Sequence, residues 1–407
     1  MKKCRGCSQN LKSTFLDLGI TPVANNLINQ KNIHEPEIFY PLHSMVCDDC
    51  SLVQLPELVQ KEILFSSDYV YYSSYSSSWL DHSKAYANEM VRNLSLVPND
   101  LVIEVASNDG YLLQYFAALG IQVLGIEPAV EVANVSISKG IKTISEFFGE
   151  HLAIRLAAGQ KPKLIIGNNV LAHVPDLHDF IKGFSILIAD DGIITFEFPH
   201  LVNLIKNNQF DTIYHEHFSY LSITALKPIL KMHGLRIIDV EEIGTHGGSL
   251  RVYLAKSHIL PVKTDNLNKI ISQEIICDPR KLDIRSNLQQ KVNQIKIELI
   301  SELIKCKKAN KRVIAYGAAA KGNTLLNYSR IDSDLIECVV DLNPNKQGKL
   351  LPGSRIPIVG DSILKDNPPD VLFILPWNIS EEIKNQLSFL SESGVKYFRA
   401  IPNVEYF

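Results

Sequence analysis

Two cysteine pairs near the start of the chain place the tightest constraint on how it can fold. Cys4-Arg5-Gly6-Cys7 and Cys47-Asp48-Asp49-Cys50 each set two cysteines two residues apart, and 39 residues lie between the pairs. A tight turn of that spacing presents both sulfurs to one side, so the two pairs together can close a tetrahedral four-thiolate site. The other cysteines, Cys277, Cys306 and Cys338, are scattered. The N-terminus has no apolar stretch of a secretory signal behind it, and in that setting paired cysteines read as metal ligands before disulfides. Buried free thiols are the plainer alternative, but two such pairs so close together make it the weaker one. Four thiolates leave no open coordination position. The expectation is therefore one structural Zn2+ on Cys4, Cys7, Cys47 and Cys50, holding a segment too small to support its own core. Zinc ribbons can also serve nucleic acid. A formal net charge of −3 and the lack of any Lys/Arg run of five argue against a nucleic-acid partner.

Behind this segment the pattern changes. Residues 100–256 alternate apolar runs with helical spacing, as in an α/β domain with a mainly parallel sheet. The strand runs are Leu101–Ala106, Gln122–Glu127, Lys163–Gly167, Gly192–Phe198, Leu235–Glu242 and Ser249–Lys256. Only a short Gly-rich loop separates the last two, which favours an antiparallel pair. Apolar residues such as Ile295, Leu299 and Leu303 predict a long connecting helix over 281–310. A second alternation follows, with strands at Arg312–Tyr316, Ile336–Asp341, Val371–Leu375 and Val395–Ala400. The chain thus divides into a zinc-binding and capping module at 1–80, an α/β domain at 81–256, and a linker helix with a Rossmann-like domain at 257–407. No apolar stretch approaches the ~18 residues a membrane span needs. The expectation is a soluble cytoplasmic protein, monomeric or weakly oligomeric.

Strand Leu101–Ala106 runs into Ser107-Asn108-Asp109-Gly110, a loop that opens a helix. Gly110 lets backbone approach a ligand closely, and this is a nucleotide-type loop without the G-x-G-x-x-G of a dinucleotide enzyme. Glu104 lies within the strand. Glu127, followed by Pro128, closes the next strand, where an acid accepts hydrogen bonds from both ribose hydroxyls. Asn168 and Asn169 follow the strand ending at Gly167, where a ring-contacting loop would lie. Each residue alone reads equally well as a solvated turn. In this order and spacing they fit the S-adenosylmethionine site of a class I methyltransferase.

Tyr214-His215-Glu216-His217-Phe218 falls between a strand and a helix, on a loop at the carboxyl end of the sheet where ligands bind. It is dense in acid/base groups, and a polar surface loop is the bland reading. No third ligand at convincing spacing supports a metal there. His246-Gly247-Gly248 precedes the last strand, and its glycines either make a tight turn or let backbone approach a substrate. The run from Tyr69 through Tyr71 to Ser76 is rich in hydroxyls, fit for core packing or for a sugar or ketone pocket. Tyr316-Gly317-Ala318-Ala319-Ala320-Lys321 opens a helix after a strand. Exposed N–H groups there, with the Lys321 charge, suit a phosphate as well as they suit a plain turn.

The chain resembles the nucleotide-sugar C-methyltransferases that make branched-chain deoxysugars. The resemblance spans nearly the whole chain and rests on several segments. They are Cys4-Arg5-x-Cys7, Leu16-Asp17-Leu18-Gly19 with Pro22-x-Ala24-Asn25, Cys47-x-x-Cys50, Tyr69-x-Tyr71-x-Ser73-Ser74 and Glu104 to Gly110. Asp211-x-Ile213-Tyr214-x-Glu216-His217-Phe218, His246-Gly247-Gly248, Tyr316-Gly317-Ala318-x-Ala320-Lys321 and Trp377-Asn378 complete the set. It implies a zinc module, a methyltransferase domain and a C-terminal Rossmann-like domain. It implies a small-molecule substrate, a nucleoside-diphosphate 4-keto-6-deoxysugar, methylated from S-adenosylmethionine at C3. It places the base at His217, with Glu216, Tyr214 and Tyr71 assisting, and places Tyr69, His246, Gly247, Lys321, Trp377 and Asn378 at the substrate. His215 is the rival base, because a sequence does not say which imidazole faces inward. An O- or N-methyltransferase on another metabolite would share the cofactor loop without needing a carbon-acid base. A zinc-ribbon regulator retaining only the fold is a further alternative.

Overall fold

Apolar runs bounded by turn residues become the buried strands of two α/β sheets. The computed structural model describes residues 2–57, 59, 72–259 and 265–407. In the middle of the chain, Leu101–Val105, Gln122–Ile126, Thr143–Ile144, Leu164–Asn168 and Ile193–Pro199 run parallel. Leu235–Ile243 and Ser249–Lys256 form the antiparallel pair expected from their short connection, and it joins the sheet beside Ile193–Pro199. Leu101–Val105 has Gln122–Ile126 on one side and Leu164–Asn168 on the other. The chain therefore winds outward in both directions from this strand, and a ligand crevice opens at its carboxyl end. Helix Ser77–Asn93 begins at an N-cap Ser76, whose hydroxyl accepts the Trp79 N–H, and covers the sheet with Tyr86, Ala87 and Met90.

The C-terminal sheet is parallel over Val313–Tyr316, Val339–Val340, Ile358–Val359, Val371–Ile374 and Lys396–Arg399, with Glu405–Tyr406 antiparallel at its edge. Helix Leu282–Lys308 buries Leu288, Val292, Ile295, Leu299 and Leu303, a stripe of helical period. That stripe packs in one core with Phe15, Leu16 and Leu18 from the N-terminal segment and Leu325 and Leu326 from the C-terminal half. The N-terminal strands thus borrow their core from the far end of the chain.

The first segment forms a small sheet of its own. Ser13–Thr21, Tyr40–Val46 and Val53–Gln54 form an antiparallel sheet. Its fourth strand comes from the middle of the chain: Ser219–Tyr220 pairs Val53 with Tyr220 and Gln54 with Ser219. These two residues directly follow Phe218, so the zinc-bearing layer and the Tyr214–Phe218 loop share a backbone ladder. Among the described residues no helix is long and apolar enough to cross a membrane.

Candidate active site and zinc site

Cys4 and Cys7 sit on one turn and Cys47 and Cys50 on another, and one sulfur from each cysteine lies within 4.8 Å of the other three. Cys4 Sγ is 3.5 Å from Cys50 Sγ and Cys7 Sγ is 3.4 Å from Cys47 Sγ. A zinc tetrahedron with Zn–S bonds of about 2.3 Å spaces its sulfurs about 3.8 Å apart, so the four residues fit the ion. The Gln54 side-chain amide donates to Cys4 Sγ at 3.1 Å, as a donor beside a thiolate should.

At the carboxyl end of strand Leu101–Val105 the backbone turns through left-handed residues Ala106, Asn108 and Gly110. A Cβ on Gly110 would lie 2.8 Å from Ser136 Oγ at a φ of +77°, so the turn requires glycine. Glu127 ties this loop to its own: its carboxylate accepts N–H groups from Asn108 at 3.0 Å and Ala129 at 2.9 Å. Pro128 beside it is half-buried. Burial pushes the Glu127 carboxyl up to about 6 and that of Glu104 well above the usual carboxylate range. Asp109 is held by Lys139 at 3.1 Å and by the Ser74 hydroxyl.

Ser107 Oγ, Asp109 Oδ1, Asn168 Oδ1 and Asn169 Oδ1 are buried with no hydrogen-bond partner among the described residues, and beside them the fully buried Glu104 carboxyl is reached by the Tyr111 hydroxyl. Each such atom costs roughly 1–3 kcal/mol if left unpaired. Gathered at one crevice and mostly acceptors, they call for a ligand rich in donors and positive charge. The ammonium, sulfonium and ribose hydroxyls of S-adenosylmethionine match that demand, so these residues fit the cofactor.

The reactive segment lies beside this crevice. His217 Nδ1–H donates to the Thr212 carbonyl at 2.8 Å, which leaves Nε2 with its lone pair, and Tyr214 O–H donates to it at 2.8 Å. Burial holds His217 well below its ordinary pKa, with neighbouring His173 adding to the effect, so the imidazole is neutral. His173 was not anticipated. Its ring meets His217 edge-on at 4.6 Å, and its Nδ1–H donates to the Glu216 carbonyl at 2.8 Å. Burial pushes it down to about 4. The one sequence signal for it is a histidine four residues after Asn169 on the loop from a central strand.

His215 and Glu216 point elsewhere. His215 packs on Tyr40, with ring centroids 5.8 Å apart, and its Nε2–H donates to the Pro41 carbonyl at 3.3 Å. Glu216 Oε1 accepts the Asn25 N–H at 3.1 Å. Glu216 therefore orients the N-terminal turn rather than the His217 imidazole, whose orientation comes from Thr212. Tyr69 and Tyr71 lie outside the described residues.

From the C-terminal half, Lys321 Nζ donates to Asn378 Oδ1 at 2.7 Å and sits 4.9 Å from the centroid of the Trp377 ring. Trp377 Nε1–H donates to buried Asp211 at 2.7 Å, on the turn leading to Tyr214. The Lys321 charge acts on both His217 and His246, so the C-terminal half meets the loop at these residues. Three backbone N–H groups of the 317–321 turn are already used: Gly317 N–H goes to the Val340 carbonyl at 2.7 Å, Ala318 N–H to Asp341 at 2.8 Å and Ala319 N–H to the Gly317 carbonyl. His246 is left-handed at φ 54° and packs on Trp79 at 5.1 Å, which also meets Tyr111 of the cofactor loop at 5.8 Å.

Gly247 serves the domain contact. At φ +88°, a Cβ there would lie 2.4 Å from Cη2 of Trp377. Gly247→Ala is expected to cost about 1–3 kcal/mol from backbone strain and overpacking. Thermal denaturation should show a lowered Tm, and an unchanged Tm would mean that Trp377 does not close on this backbone.

The chain matches family models for a C-methyltransferase C-terminal domain at residues 244–402, a zinc binding domain at 4–65 and a methyltransferase domain at 81–240. It is 35% identical over 409 residues to C-methyltransferase NovU of Streptomyces niveus, a match that covers 98% of this chain and 95% of that one. Magnesium protoporphyrin IX methyltransferase (ChlM) from Synechocystis PCC 6803 with bound SAH is similar at a TM-score of 0.36 and 16% identity, covering 44% of this chain and 83% of that one. An S-adenosylmethionine-dependent methyltransferase from Clostridium acetobutylicum ATCC 824 covers 44% of this chain and 92% of its own at 0.35 and 13%.

Proposed function

The chain belongs to the C-methyltransferase family, and on that premise we propose that this S-adenosylmethionine-dependent enzyme methylates C3 of a nucleoside-diphosphate 4-keto-6-deoxysugar. The observation that carries the reading is the neutral His217 imidazole, held by Thr212 and bonded through Nε2 to the Tyr214 hydroxyl beside the cofactor crevice. Carbon is a poor nucleophile unless a base first removes its proton, and a C3 proton is acidic because the C4 carbonyl can take the charge. An O- or N-methyltransferase would not need a base for a carbon-bound proton, and membership of a C-methyltransferase family disfavours that alternative.

The bound cofactor supplies an electrophilic methyl group on a sulfonium. Glu104, Ser107, Asp109, Glu127, Asn168 and Asn169 hold it at the end of the central strands. His217 Nε2 takes the C3 proton once the Tyr214 hydroxyl shifts its hydrogen bond to the C4 oxygen, where enolate charge develops. His173 packs edge-on against the imidazole. Across the cleft, Lys321 meets the diphosphate, while Trp377 and Asn378 fix the lysine and His246 lines the wall.

The test is incubation with methyl-labelled S-adenosylmethionine and a panel of nucleotide sugars with and without a 4-keto group. Label should enter only the 4-ketosugars, at carbon. Label on oxygen, or in sugars lacking the ketone, overturns the reading. Lys321→Ala should raise KM for the sugar nucleotide by about 10-fold to 100-fold, the loss of a buried charge-assisted contact, with S-adenosylmethionine affinity nearly unchanged. Equal weakening of both ligands would remove Lys321 from the substrate site.

A further inference from the structure

Arg5 lies between the first two zinc ligands, yet its side chain leaves the metal site and crosses to the reactive loop. Its NH1 donates to the Phe218 carbonyl and its NH2 to the Leu55 carbonyl at 2.9 Å, while the guanidinium carbon stands 5.3 Å from the Phe218 ring centroid. The other end of the Phe218 peptide is fixed as well: its N–H donates to the Ala172 carbonyl at 2.6 Å, next to His173. Phe218 directly follows His217, so its backbone is clamped between the zinc layer and the loop beside the cofactor crevice. Gln54 closes the circuit. Its amide donates to Cys4 Sγ at 3.1 Å, its side-chain oxygen accepts the Arg5 N–H at 3.0 Å, and its backbone pairs with Ser219.

We propose that Arg5 is a positioning residue that couples the zinc knuckle to the placement of the Tyr214–His217 pair. The knuckle fixes the Arg5 backbone, and the planar fork of its guanidinium fixes two carbonyls at once, which a flexible ammonium cannot do equally well. The part of this inference that concerns chemistry rests on His217 and Tyr214 being the reactive pair. The mechanical coupling does not.

The experiment compares zinc-loaded wild type with Arg5→Met, which keeps the apolar stem, and Arg5→Lys, which keeps the charge. Arg5→Met should retain one zinc per chain and wild-type S-adenosylmethionine affinity. Its kcat should fall roughly 10-fold to 100-fold, the scale of a misplaced catalytic group, with KM little changed. Amide hydrogen exchange should quicken at residues 217–221 and stay unchanged at 101–105. Arg5→Lys should recover part of both losses. Wild-type kcat and exchange in Arg5→Met would overturn the proposal. So would a loss of kcat without faster exchange at 217–221, or a loss that added zinc restores. If Arg5→Met does not fold, the same criteria are read on Arg5→Lys. Faster exchange in an enzyme that methylates no 4-ketosugar would keep the coupling and overturn the substrate reading instead.

Discussion

Replacing His217 by asparagine is expected to lower kcat by about two to four orders of magnitude, the usual contribution of a positioned general base. Asparagine occupies similar space, can donate to the Thr212 carbonyl and can still meet the Tyr214 hydroxyl, but it accepts no proton. Affinity for S-adenosylmethionine should stay near wild type, because the orphaned acceptors of its site are on other residues. The wild-type pH profile carries a second signature. Burial lowers the His217 pKa below its ordinary 6.5. A histidine is competent as a base only above its pKa, so the acidic limb of kcat/KM should fall below pH 6.5 and activity should be level from there to neutrality. An acidic limb at or above 6.5, or an asparagine variant with wild-type kcat, would move the base elsewhere. His215→Ala should keep most of its activity, because that imidazole faces Tyr40 and Pro41.

Zinc removal should be nearly as damaging by a different route. In small zinc modules the apparent binding free energy, about 10–16 kcal/mol, is folding free energy. Here Cys4, Cys47 and Leu52 are buried with Leu226 and Ile229, while strand Ser13–Thr21 is packed on helix Leu282–Lys308. The strand layer therefore keeps much of its core without metal, and the two cysteine turns do not. A zinc-free protein, or Cys47→Ser, is expected to loosen residues 2–11 and 46–55 and to lose the ladder between Val53–Gln54 and Ser219–Tyr220. That ladder carries the reactive loop, so kcat should drop by about 100-fold or more while the cofactor still binds. Elemental analysis, limited proteolysis and turnover on the same preparation check this. A zinc-free protein with wild-type Tm and turnover would show that the metal is dispensable.

The features legible in the sequence are those whose cause is local. Two-residue spacing alone marks the zinc ligands, and apolar runs mark the central strands to within a residue or two, because a strand buried on both faces needs no partner to reveal itself. The stripe on Leu282–Lys308 is legible for the same reason. Ser219–Tyr220 is not: two residues carry no periodicity, and the partner strand lies at Val53–Gln54, far away in the chain. His173 escapes notice because a lone histidine on a short turn has no pattern; only the fold lays it against His217. Glu216 beside His217 suggests a working pair, yet in the turn that the His217 N–H closes onto the Tyr214 carbonyl the two side chains diverge, one to Asn25 and the other to Thr212. Gly247 reads as a site for substrate, and it takes Trp377 to show why a side chain is excluded there.

The proposed function requires carbon to be activated by removal of a proton next to a ketone. Deuterium wash-in tests it without methyl transfer: a nucleoside-diphosphate 4-keto-6-deoxysugar is incubated in D2O with enzyme and S-adenosylhomocysteine, and C3 is followed by NMR. Exchange at C3 is expected with wild-type enzyme and essentially none with His217→Asn. No enzyme-dependent exchange at C3, or equal exchange in the two proteins, would contradict the proposed function.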